Sequence, residues 1–207
     1  MAWRTARADS DFPALLPSLT EVLARVRDSA TAMGEAMGLS PYDALLDEHD
    51  PGSRAVRIDA LFDELAGFLP GLIGEALERQ ASQPPSTAPE GPFPVETQRA
   101  LGERLMRQAG FDFTRGRLDV SLHPFCGGAD DDVRITTRYD EGDFTKALMG
   151  VLHETGHALY EQGRPAAWRG QPVGQTRGMA VHESQSLIIE MQAARSAEFL
   201  SWLGPTR

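Results

Sequence analysis

The chain has 207 residues, enough to bury a substantial core as one domain. Its formal net charge of −10 and pI near 4.9 argue against nucleic acid as a partner. One cysteine, Cys126, excludes an internal disulfide framework. No apolar run reaches membrane-spanning length and the N-terminus lacks a signal-like pattern, so a cytoplasmic protein without a membrane partner is expected.

Residues 12–39 read as a helix, with Leu15, Leu16, Leu19, Val22, Leu23 and Val26 on an apolar face that Gly34 and Gly38 interrupt. Ser40–Pro41 starts a short helix with Tyr42, Leu45 and Leu46 as its contacts. His49 to Gly52 is a turn that leaves His49 exposed. Residues 53–80 form another amphipathic helix, with Val56, Ile58, Leu61, Phe62, Leu65, Phe68 and Leu69 inward and a kink or split at Pro70–Gly71. Met33, Met37 and Met106 read as core filler. Residues 81–94 hold five of the fourteen prolines and form a long connection within one helical body. Residues 95–109 are helical again, and Gly110 ends them.

The pattern then changes period. Leu118, Val120 and Leu122 alternate with polar residues, as do Val133, Ile135, Thr137 and Tyr139, so two strands are predicted in a small antiparallel sheet. Cys126 to Asp132 between them is turn chemistry, with Cys126 a small packing residue and Asp130 to Asp132 a solvated loop. A strand edge here would let a peptide bind as an added strand.

Residues 144–160 read as one helix. Asp143 is its N-cap, Gly163 and Pro165 close it, and Phe144, Ala147, Leu148, Val151, Leu152, Thr155, Ala158 and Leu159 make its buried stripe. It contains His153-Glu154-Thr155-Gly156-His157, an HExxH pattern. Residues i and i+4 of a helix share a face, so His153 and His157 can bind one metal ion from adjacent turns. Glu154 beside them can take a proton from water activated by that ion. A metzincin would continue with glycine at position 160 and histidine at position 163, whereas this chain has Tyr160 and Gly163. The other supply of a third ligand is a glutamate from a later helix, and Glu183 fits, near the start of a helix predicted over 178–203 and closed by Gly204–Pro205. Val181, Leu187, Ile188 and Met191 are its core-facing residues. Two histidines, one glutamate and an open position describe a catalytic zinc site.

Four motifs stand in one order: His123-Pro124-Phe125, the run Asp132 to Thr136, the HExxH helix, and the run His182 to Ser186. Together they resemble the thermostable carboxypeptidase Taq family, the M32 metallocarboxypeptidases. Trp3 to Arg7, Asp11–Phe12, Tyr42 to Asp47 and Pro51–Gly52 extend the likeness over nearly the whole chain. The resemblance implies a mainly α, helical zincin-like (gluzincin) body with the small antiparallel sheet beside the metal helix. It implies Zn2+, with Co2+ as the alternative, peptide substrates shortened from the C-terminus with broad side-chain preference and proline disfavoured, and a homodimer. Members of that family are more than twice this length, so a partial metallopeptidase domain with little activity alone is expected. Its layout would be a helical body over 1–80, the proline-rich loop over 81–94, and the helix, sheet and two ligand helices over 95–207. His123 can orient substrate or bond backbone at a strand end, and Arg134 can bind a substrate carboxylate or hold the sheet. An endopeptidase on the same motif and a non-catalytic helical binding module are the alternatives to a carboxypeptidase.

Overall fold

A computed structural model describes residues 2–85 and 89–204. Positions 86–88 of the proline-rich stretch, and the expected stop at Pro205, lie outside the described residues. The chain divides into two compact units, 1–84 and 85–207. Among the described residues no helix is long and apolar enough to cross a membrane.

The first unit is helical throughout: α1 (Ala2–Ala8), α2 (Phe12–Met37), α3 (Pro41–His49) and α4 (Ala55–Ala81). Each joint has a local cause. Asp11 caps α2 by accepting from the Ala14 amide, and Gly38 ends it at φ 67°, a left-handed conformation that glycine adopts without strain. Ser40 caps α3 with Pro41 behind it. The turn into α4 is tied back to α3: the Ala55 amide donates to Asp43 Oδ1 at 2.8 Å, and Arg54 pairs with Asp47 at 2.7 Å.

Two expectations for this unit change. The α4 helix runs unbroken through Pro70, so Pro70–Gly71 does not split it. The apolar faces of α2 and α4 are not inward. Leu16, Leu19, Val22, Leu23 and Val26 are exposed on α2, as are Val56, Leu61, Phe62, Leu65, Phe68 and Leu69 on α4. Periodicity decides which face of a helix is apolar, but burial needs a second layer, and among the described residues this unit supplies none. Of the three methionines, Met106 is fully buried, Met33 half-buried and Met37 exposed.

The second unit holds α5 (Val95–Ala109), β1 (Gly116–Val120), β2 (Phe125–Ala129), β3 (Asp132–Thr137), α6 (Phe144–Gln162), α7 (Met179–Leu187) and α8 (Ala197–Leu203). The sheet is mixed, in the order β1-β3-β2, with β1 parallel and β2 antiparallel to the central β3. Both the second strand pairing and the parallel one differ from the expected antiparallel pair. Phe125 to Ala129 is glycine-rich and reads as a turn, yet β2 joins β3 through a two-residue connection, since Ala129 pairs with Asp132. Gly128 stands at φ 127° where a Cβ would lie 2.0 Å from the Asp132 carbonyl, so side-chain-free backbone makes the close pairing possible.

The core wraps α6. On one side Val151 and Ala158 join Met106, Phe111, Leu118, Val133 and Ile135, from α5, the connection after it and the sheet. On another side Leu148 and Leu152 join Leu105 and Ala194, with Phe144, Ile189, Phe199 and Leu203 packed against them. Of the predicted stripe of α6, Ala147, Leu148, Val151, Leu152, Thr155 and Ala158 are buried and Phe144 and Leu159 half-buried, while Val120 and Leu122 are exposed. The single helix expected over 178–203 is instead three pieces. After α7 the backbone widens into a π-helical segment, Ile188–Ala193, in which the Ala194 amide bonds the Ile189 carbonyl. Ser196 then caps α8 afresh by accepting from the Phe199 amide. Val181, Leu187, Ile188 and Met191 are exposed rather than core-facing.

Candidate metal centre

The α6 helix begins where Asp143 Oδ1 accepts from the Thr145 amide at 3.0 Å, and the core clamps its apolar stripe. Its HExxH turns then face α7. That approach depends on Gly156: a Cβ there would stand 2.3 Å from the Gln185 carbonyl oxygen and 2.5 Å from Ser186 Cα. Ser186, fully buried, is the small residue on the opposing side. Backbone-to-backbone contact at this crossing brings Glu183 over the histidines.

His157 Nε2 lies 3.3 Å from Glu183 Oε2, and His153 Nε2 lies 3.6 Å from Glu183 Oε1. One ligand atom from each of the three residues falls within 4.8 Å of the others. In a tetrahedral site with bonds of about 2.0–2.1 Å, ligand atoms stand about 3.3–3.4 Å apart, so the two histidine–glutamate separations suit such an ion. Burial, then the neighbouring His182 and His153, hold the His157 pKa below the usual imidazole value, which favours the neutral ring that a metal requires.

The other nitrogen of each ring is already engaged. His153 Nδ1 is 3.0 Å from Glu190 Oε2, and Arg195 donates to Glu190 Oε1 at 2.9 Å. Burial pushes the Glu190 carboxyl up, but the bonds from His153 and Arg195 outweigh it and leave the pKa lowered. His157 Nδ1 is 2.6 Å from His182 Nδ1, and His182 Nε2 is 2.8 Å from Glu161 Oε1. Glu161 Oε2 pairs with Arg164 Nε at 2.8 Å, and Arg164 Nη2 donates to Asp130 Oδ1 at 2.7 Å. Sequence reading missed Glu190, Glu161 and Arg164 and gave His182 no role of its own. Helical spacing carried a weak signal for two of them: Glu190 is seven residues past Glu183 and Glu161 four past His157. Nothing local announced the link to Asp130.

Glu154 is only 6% exposed. Burial raises its carboxyl pKa, the Glu183 charge adds to that, and His153 opposes it. Glu154 and His157 line an open pocket of about 320 Å3 with Pro124, Phe125, Cys126, Met179 and His182. The pocket wall is knitted to β3, where Thr136 Oγ1 accepts from the Phe125 amide at 3.1 Å and donates to the His123 carbonyl at 3.2 Å. Two motifs that the sequence shows as separate are thus one hydrogen-bonded unit.

The remaining candidates fall in different places. His123 is exposed, with Nδ1 2.7 Å from the Pro124 carbonyl. Arg134 is not brought to the cluster. It alternates with buried Val133 and Ile135, so it leaves the opposite face of β3, where its guanidinium pairs with Asp132 at 2.5 Å. The acidic trio is ion-paired rather than simply solvated: Asp130 with Arg164, Asp131 with Arg115 and Arg169, Asp132 with Arg134. Cys126 sits on β2, not in a turn. Burial, then Glu154 and Glu161, push its thiol up to about 12, which leaves it protonated and unreactive.

The family model described as carboxypeptidase Taq (M32) metallopeptidase matches residues 1–206. The thermostable carboxypeptidase 1 of Thermus thermophilus is 42% identical over 205 residues, covering 95% of this chain and 40% of the relative. Carboxypeptidase 1 of Bacillus subtilis is 37% identical over 199 residues, covering 96% and 39%. The solved structure of Trypanosoma cruzi metallocarboxypeptidase 1 is 45% identical with a TM-score of 0.90, covering 99% of this chain and 41% of that one. The chain thus spans about 40% of the length of the curated relatives it matches. It belongs to the carboxypeptidase Taq (M32) metallopeptidase family.

Proposed function

We propose that this member of the family carries the metal-binding and proton-transfer part of a metallocarboxypeptidase site, with His153, His157 and Glu183 as ligands and Glu154 as general base. The observation that carries the reading is the convergence of three ligand atoms within 4.8 Å beside a buried glutamate that opens onto a pocket. Zn2+ is the proposed ion, with Co2+ as the alternative, because two imidazoles and one carboxylate form the donor set of catalytic zinc sites. When bound, such an ion supplies Lewis acidity and lowers the pKa of water at the site.

The chain's own residues supply the rest. Glu154, held in a partly dry environment with a raised pKa, accepts a proton from the attacking water. It then passes that proton to the leaving amine, acting first as base and then as acid. Pro124 and Phe125 wall the pocket in which the scissile peptide would lie, and His123, next in sequence to Pro124, is the proposed substrate-orienting residue. The proposed reaction is release of C-terminal residues from peptides, with broad side-chain preference and proline disfavoured, by a whole protein that acts as a homodimer.

The test is metal uptake by the 207-residue chain and by His157→Ala. The wild type should take up about one equivalent of Zn2+ or Co2+, and the variant should lose most of it. Equal uptake by both would reject the ligand assignment.

A further inference from the structure

A line of five side chains, His157, His182, Glu161, Arg164 and Asp130, runs from the α6 histidine to the β2–β3 connection, and its chemistry has a direction. Resting on the metal-site reading above, we infer that Glu161 is a positioning residue: through His182 it fixes the tautomer of His157, so that Nε2 presents a lone pair to the metal position.

The argument is one of donors and acceptors. A neutral imidazole carries one N–H and one lone pair. Two Nδ1 atoms 2.6 Å apart cannot both be donors or both be acceptors, so one of His157 and His182 gives the proton to the other. Two arrangements of neutral rings satisfy that contact. In one, His157 Nδ1–H donates to His182, which leaves a lone pair on His157 Nε2 and an N–H on His182 Nε2. In the other, every proton is reversed and His157 Nε2 carries the hydrogen, which would face Glu183 and exclude a metal.

Glu161 breaks the tie. An ionised carboxylate only accepts, and its Oε1 is 2.8 Å from His182 Nε2. That contact requires the N–H on His182 Nε2; with both rings neutral this puts the lone pair on His182 Nδ1, the proton on His157 Nδ1, and the free lone pair on His157 Nε2. The carboxylate is itself held in place, its other oxygen 2.8 Å from Arg164 Nε, while Arg164 is anchored by Asp130 at 2.7 Å and by donation from Nη1 to the Gly174 carbonyl at 3.1 Å. The Arg164 side chain is only 13% exposed, so this anchor is built into the unit rather than laid on its surface. A carboxylate next to a ligating histidine commonly sets its tautomer directly; here the influence passes through a second imidazole.

Glu161→Gln tests this with nearly unchanged size. Its amide can donate to His182 Nε2 and so admit the reversed arrangement. Zn2+ affinity, measured by competition with a chromophoric chelator, should fall about 10–100-fold, while the thermal unfolding midpoint of the metal-free protein changes little. Affinity within twofold of wild type would overturn the inference. A wild-type chain that binds no Zn2+ would instead overturn the metal-site reading itself. A second measurement needs no variant to fold: 15N chemical shifts of the metal-free wild-type chain, at a pH where both rings are neutral, should show His157 protonated on Nδ1. Protonation on Nε2 would overturn the inference whatever the affinities.

Discussion

Glu154 bears opposing demands that its environment makes measurable. Its folded pKa is raised by burial above the ordinary 4.5, so its contribution to stability is full below that value and is lost as pH rises through the folded value. The metal-free wild type should therefore lose stability relative to Glu154→Gln as pH goes from about 4 to about 8. Parallel unfolding midpoints across that range would show that the ionised carboxylate carries no cost here. In a full-length enzyme carrying this segment, the same substitution should keep the metal and lower kcat by roughly 10²–10⁴-fold, because an amide cannot accept the water's proton. Near-normal turnover with metal retained would assign the base to another group. Arg134 illustrates the opposite outcome. Its position in a motif attracts a functional reading, but its 2.5 Å ion pair with Asp132 lies on the face of β3 turned from the buried side.

Between elements, the crossing of α6 and α7 is the decisive contact. Gly156 is a poor helix former, and alanine in its place would gain up to about 1 kcal/mol from intrinsic propensity. The steric term is opposed and larger, since a Cβ would fall within 2.3 Å of backbone that has no soft side chain to give way. Overpacking of this kind costs about 1–3 kcal/mol. Gly156→Ala should therefore lower the unfolding midpoint and weaken Zn2+ binding together, because separating the helices draws Glu183 from His153 and His157. A stable variant with unaltered zinc affinity would show that the crossing can shift without cost. The HExxH helix, with its cap at Asp143 and its stripe, was fully legible because both signals are local. The break after α7 was not. No single residue in 188–193 forbids an α-helix, and the widened turn reflects packing of Ile189 and Ala194 against α6 and α5.

For the chain as a whole, span matters more than any one site. It covers about 40% of the relatives it matches, and both long helices of the first unit carry apolar stripes that its described residues leave uncovered. Exposed faces of that extent promote association. The 207-residue chain should self-associate as its concentration rises, which sedimentation velocity would detect; a monomer at every concentration would contradict this. Metal binding alone does not align a substrate, and misplacing a substrate by about 1 Å can cost about 10²-fold. Zinc-loaded, the chain should release C-terminal residues with kcat/KM at least about 10²-fold below that of a whole relative such as Bacillus subtilis carboxypeptidase 1. Comparable values would show that these residues form a complete catalytic unit.

By itself the sequence determined the proposed ligands and base, the helix that carries three of them, the helix starts at Ser40 and Asp143, and which faces are apolar. Those features depend on residues within a turn or two of one another. Tertiary structure decided what touches what. It made a strand of glycine-rich Phe125 to Ala129 by pairing it with β3, and it laid β1 parallel to the same strand. It brought Asp130 to Arg164 across 34 positions and Glu190 to His153 across 37. Such contacts arise from packing around α6, and no local period or propensity encodes them. For that reason the proposed metal ligands could be named in advance, while most of the residues that contact them could not.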